Sequence, residues 1–90
     1  MIVYFRTING ESLVEKGKIL TIGGAKRDCI LTGNDKMSLE VIGSYKNEEE
    51  AKEVFEGIIE KIMNPTVQEM NKGIIYIDLK YLASLIGGKE

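Results

Sequence analysis

The alternation of apolar and polar positions divides the chain into short extended runs, followed by one long helical stretch. Ile2–Ile8 (IVYFRTI) is rich in β-branched and aromatic residues and predicts a strand. Asn9-Gly10 follows, a pair that favours the positive-φ turns joining antiparallel strands, and Leu13-Val14 is expected to pair back briefly before Gly17 interrupts. Lys18–Gly23 and Asp28–Thr32 read as strands joined by the tight connection Gly24–Asp28, and Gly33-Asn34-Asp35 is a turn cluster. Lys36–Tyr45 alternates with period two. That pattern predicts a half-buried strand with Met37, Leu39 and Val41 on one face and Ser38 and Glu40 on the other. Gly43 within it suggests a bulge or a close backbone contact.

The period then changes. Ala51, Val54, Phe55, Ile58, Ile59, Ile62 and Met63 form a single stripe at helical spacing, and Glu and Lys fill the other sides. Asn47 is a candidate N-cap with Glu50 three residues on, and Glu48, Glu49 and Glu50 suit the positive end of the helix dipole. Asn64-Pro65 ends the helix. Thr66–Gly73 reads as a loop or short helical turn and Ile74–Asp78 as a last strand. The tail from Leu79 has helical spacing, with Asp78 as cap and Gly87-Gly88 as stop. A stripe of seven apolar residues needs a sheet beneath it. The expected fold is therefore a single α+β domain over residues 1–90: an antiparallel sheet of about four to five strands, packed by the helix at about 47–63, with a short C-terminal helix.

Ninety residues with 43% hydrophobic and 29% charged side chains have the balance of a folded domain, small enough that a homo-oligomer is expected to support it. The net charge of −2 disfavours general nucleic-acid or membrane binding. The charge is unevenly spread. Residues 47–63 carry six Glu against Lys52 and Lys61, a net of −4, which leaves the remainder at +2. One cysteine, Cys29, excludes an intrachain disulfide and fits a reducing cytoplasm. No signal peptide and no membrane span are read.

The chain has no histidine, so the commonest general base and metal ligand are missing; an enzyme, a metal site and a cofactor are not expected. Cys29, beside Ile30 and Leu31, reads as a small buried hydrophobe. Gly23-Gly24-Ala25-Lys26-Arg27 is either a charged hairpin tip or an anion site in which backbone amides converge on a phosphate beside Lys26 and Arg27; it lacks the Walker pattern. Tyr4 and Arg6 share one strand face, and Tyr45 ends a strand that could be their neighbour. An aromatic side chain with an arginine suits a nucleobase and a phosphate, although ordinary sheet packing explains them as well. The candidate ligand-binding residues are therefore Tyr4, Arg6, Lys26, Arg27 and Tyr45.

Two stretches carry a resemblance: Arg6-Thr7-Ile8-Asn9-Gly10-Glu11-Ser12-Leu13, and Val41 to Val54 with its Gly43-Ser44-Tyr45 element before an acidic-capped helix that has Ala51 near its start. Together they resemble a family of small proteins from phages and prophages of Gram-positive bacteria. The likeness covers residues 2–63; relatives usually end soon after a short strand, whereas this chain continues through Leu79–Glu90. The resemblance implies a non-enzymatic protein acting against host defence in the bacterial cytoplasm. One route is a sponge that sequesters a nucleotide signal, a cyclic ADP-ribose isomer or a cyclic nucleotide. The alternatives are an inhibitor docking on a host defence protein, as anti-CRISPR proteins do, or a structural or assembly module.

Overall fold

The computed structural model describes residues 1–87. The element order is β1 (Ile2–Arg6), β2 (Leu13–Glu15), β3 (Ile19–Gly23), β4 (Cys29–Gly33), β5 (Glu40–Ser44), α1 (Glu48–Met63), α2 (Val67–Lys72), β6 (Ile74–Asp78) and α3 (Leu79–Gly87). The fold is α+β, but the strands do not form one antiparallel sheet. They form two sheets of three, ordered β2-β1-β6 and β3-β4-β5. Every pairing is antiparallel except β1 with β6, which run parallel from Ile2 opposite Ile74 to Arg6 opposite Asp78.

The division falls at Gly17. Here the chain leaves β2 after three residues and passes so close to β4 that a Cβ on Gly17 would lie 2.3 Å from the Gly33 carbonyl oxygen. The Gly17 N–H donates to the Thr32 hydroxyl at 2.9 Å, and that hydroxyl donates to the Ile19 carbonyl at 2.8 Å, so this buried threonine is satisfied while it pins the crossing. On the other side, the Ile8 N–H donates to the Ile42 carbonyl at 3.3 Å, tying the chain just beyond β1 to β5.

Both sheets and the helices feed one core. Val3 and Phe5 of β1, Ile75 and Ile77 of β6, Ile30 of β4, Ile42 of β5, Ala51, Val54 and Ile58 of α1, and Leu79 of α3 pack in one buried cluster. The helix α1 follows its sequence signals. The Asn47 side chain accepts from the Glu50 N–H at 2.8 Å, and Glu48, Glu49 and Glu50 occupy the first turn. Its apolar stripe is narrower than the sequence suggests: Phe55, Ile59 and Ile62 are half-buried and Met63, in the last turn, is 74% exposed. The short helix α2 is held by a full capping box between Thr66 and Glu69. Gly73 closes it in the left-handed region at φ 72, and a Lys61–Glu69 ion pair of 2.7 Å ties it to α1.

The expected burial of Met37, Leu39 and Val41 is not found. The strand begins only at Glu40; Met37 is 96% exposed, Leu39 is half-buried and Val41 is exposed. Met37 and Leu39 lie in the connection between β4 and β5, ahead of the strand, and at Val41 a bulge shifts the phase. Ile30 lies opposite Gly43 and Leu31 opposite Val41, so Ile42 is the extra residue, and it turns into the core. In the tail, the Asp78 carboxylate accepts the N–H groups of Lys80 and Tyr81 at 3.0 and 3.2 Å, as a cap would. Gly88, expected to help stop α3, lies outside the described residues.

Candidate functional site

Alternation along β1 sends Val3 and Phe5 inward and Ile2, Tyr4 and Arg6 outward. The parallel, in-register pairing with β6 then sets Tyr4 beside Tyr76 and Arg6 beside Asp78, while β2 brings Glu15 opposite Tyr4 and Leu13 opposite Arg6. The Tyr4 and Tyr76 rings stack, with centroids 5.6 Å apart and planes 17° from parallel. Tyr76 is 62% exposed, and Ile2 and Leu13 on the same face are also exposed, so this side of the first sheet presents an open aromatic and apolar surface.

At the Arg6 end the surface deepens into a groove of about 470 Å³ lined by Arg6, the Gly10–Leu13 turn, Tyr76, Ile77 and Asp78. The turn wall is well fixed. The Thr7 hydroxyl donates to the Asn9 side-chain oxygen at 2.7 Å, the Glu11 N–H donates to the same oxygen at 3.0 Å, and the Ser12 N–H donates to the Thr7 hydroxyl at 3.2 Å. Gly10, at φ 75, supplies the left-handed residue that reverses the chain. Among the described residues, Arg6 has no ion-pair partner within 4 Å, although Glu11 and Asp78 are among the residues lining the same groove.

The other sequence candidates lie elsewhere. Lys26 and Arg27 sit on the β3–β4 turn, both exposed. Gly24 at φ 92 and Arg27 at φ 53 shape that turn, which closes through the Arg27 N–H to the Gly24 carbonyl at 3.1 Å. The Arg27 Nε donates to Glu48 Oε2 at 3.1 Å, and Lys52 approaches the same oxygen at 3.4 Å. These two cations hold the Glu48 carboxyl below the usual carboxylate range. The charge of Arg27 is thus engaged at the start of α1, and neither Arg27 nor Lys26 lines the Arg6 groove.

Tyr45, expected to offer a ring to a base, is a core residue 8% exposed. Its ring lies against Gly43, where a Cβ would meet the hydroxyl at 2.4 Å. That hydroxyl is buried with no hydrogen-bond partner among the described residues, and its pKa is pushed up to about 12, first by burial and then by Glu50 and Cys29. Cys29 is half-buried between polar neighbours, its Sγ 3.5 Å from both Asp28 Oδ1 and Ser44 Oγ.

Of the five candidates, Tyr4 and Arg6 share the outer face of the first sheet. Sequence reasoning missed Tyr76, Asp78 and the Glu11–Leu13 wall. Alternation within Ile74–Asp78 places Tyr76 and Asp78 on one face, but nothing local says that β6 pairs with β1.

Among the described residues no group of three or more His, Cys, Asp or Glu side chains is placed to hold a metal ion, and no helix is long and apolar enough to cross a membrane. The fold and groove define a small α+β domain with an open aromatic sheet face. Compared with protein-family models, curated proteins and solved structures, the chain has no significant match.

Proposed function

We propose that the outer face of the first sheet is a ligand platform and that the protein is a non-enzymatic binder of a small nucleotide. The observation that carries this reading is the stacked Tyr4–Tyr76 pair beside Arg6, a guanidinium with no ion-pair partner among the described residues, at the mouth of a groove. The exposed Tyr76 ring offers a stacking surface for a base, an interaction of about 1–3 kcal/mol. The Arg6 fork suits a phosphate oxygen pair. Binding without turnover is what a sponge requires. With the resemblance to small phage proteins, it makes sequestration of a nucleotide immune signal in the host cytoplasm the reading of first choice.

The test is a thermal-shift panel of cyclic and linear nucleotides. A ligand that binds only the folded state raises the melting temperature, by about 2.7 kcal/mol of added stability at a hundredfold excess over Kd. Tyr76→Ala should strongly reduce that shift, read against the variant's own unliganded melting temperature, which should fall because the Tyr4–Tyr76 stack, about 0.5–1.5 kcal/mol, is lost with the ring. A folded protein that no nucleotide shifts would refute the reading.

A second reading rests on α1. Glu49, Glu53, Glu56 and Glu60 are all exposed and form an acidic face suited to a basic patch on a host defence protein. It expects one partner recovered from host lysate and lost when these four charges are reversed; recovery that survives the reversal counts against it.

A further inference from the structure

We infer that the ligand of the Arg6 groove carries a single negative charge; this rests on the reading of that groove as a nucleotide site. The groove is lined by one cation and two carboxylates, Arg6 against Glu11 and Asp78, so its wall has a formal net charge of −1. The three groups are held in different ways. Asp78 is fixed by the two N–H donors of α3, which orient its carboxylate without neutralising it. Glu11 is carried by the turn that Thr7 and Asn9 staple, so its backbone is held at the groove wall. Arg6 ends β1, opposite Asp78 of β6 on one side and Leu13 of β2 on the other.

One anionic group can lie on the Arg6 guanidinium. A second charge on the same ligand faces a groove that Glu11 and Asp78 also line. Like charges a few ångströms apart near a protein surface repel strongly enough to weaken binding by about tenfold or more. Polyanion sites carry several converging cations, whereas Lys26 and Arg27 lie outside this groove and Arg27 is engaged by Glu48. The geometry therefore selects a monoanion with an aromatic face: a cyclic nucleoside monophosphate fits the pattern, and a di- or triphosphate does not.

The experiment is isothermal titration of the full-length protein with adenosine, 3′,5′-cyclic AMP, ADP and ATP, and with the matching guanine series. The cyclic monophosphate is expected to bind tightest in its series. The nucleoside should be weaker through loss of the Arg6 contact, and the di- and triphosphates weaker by about tenfold or more. Glu11→Gln combined with Asp78→Asn, in which the asparagine oxygen can still cap α3, should bring the diphosphate to within a few-fold of the cyclic monophosphate. Di- or triphosphates binding as tightly as the monoanion in the wild-type protein would overturn this inference and leave the groove standing as a nucleotide site. Absence of binding by every probe would overturn both.

Discussion

At the scale of single residues, Tyr45 shows how a side chain can be chemically conspicuous and still belong to the scaffold. Its hydroxyl is buried without a partner among the described residues, and its ionisation is displaced from near 10 to about 12. The phenol ionises near 10 in the unfolded chain and only near 12 in the fold. Its contribution to stability is therefore intact below pH 10 and is lost as pH rises towards 12, with a slope of up to about 1.4 kcal/mol per pH unit. Urea unfolding between pH 9 and 12 should show this loss in the wild-type protein and a shallower one in Tyr45→Phe. At pH 7 the phenylalanine variant should be at least as stable, to within about 0.5 kcal/mol, because the hydroxyl it removes bonds to none of the described residues. Equal slopes in the two proteins would reassign the alkaline loss to other groups. The sequence suggested a ligand residue here because Tyr45 ends a strand that could neighbour Tyr4 and Arg6. In the fold that strand, β5, belongs to the other sheet, and the Tyr45 ring turns into the core.

At the scale of elements, what could be read from the sequence was what is encoded locally. The cap, acidic first turn and apolar stripe of α1 are contiguous signals, and the helix forms where they place it. The strand segments were legible for the same reason. Their grouping into two sheets was not, because alternation specifies a strand's faces and leaves its neighbours unspecified. The candidate sheet face was half legible: Tyr4 and Arg6 come from one strand, while Tyr76 and Asp78 arrive by a pairing across most of the chain. The two helices before β6 depend on their caps differently. In α2, six residues with none buried rely on the Thr66–Glu69 box and the Lys61 ion pair. Thr66→Ala should cost about 1 kcal/mol, felt locally as faster hydrogen exchange over residues 67–72 with little change in the urea midpoint. Asn47→Ala should cost a similar amount, but because α1 is packed into the core, that loss should appear in the global midpoint. Indistinguishable exchange patterns in the two variants would show that α2 unfolds only with the whole domain.

For the whole molecule, the governing feature is the pairing of the first strand with the last. Val3 and Phe5 on the inner face of β1 are covered in part by Ile75, Ile77 and Leu79. A chain ending at Gly73 loses that cover and leaves β1 with one edge and part of its inner face bare. It should show no cooperative thermal transition by circular dichroism, where the complete chain shows one. A sharp transition in the shortened chain would mean that the second sheet and α1 fold on their own. Such long-range pairing also predicts slow folding for a domain of this size. The same pairing has a cost in time during translation. The ribosome must make everything between Arg6 and Ile74 before β1 can find its parallel neighbour. At about 5–20 residues per second that wait is on the order of 3–14 s. Throughout it, the nascent chain carries a hydrophobic strand with an unclaimed edge, the state in which chains are most prone to join one another.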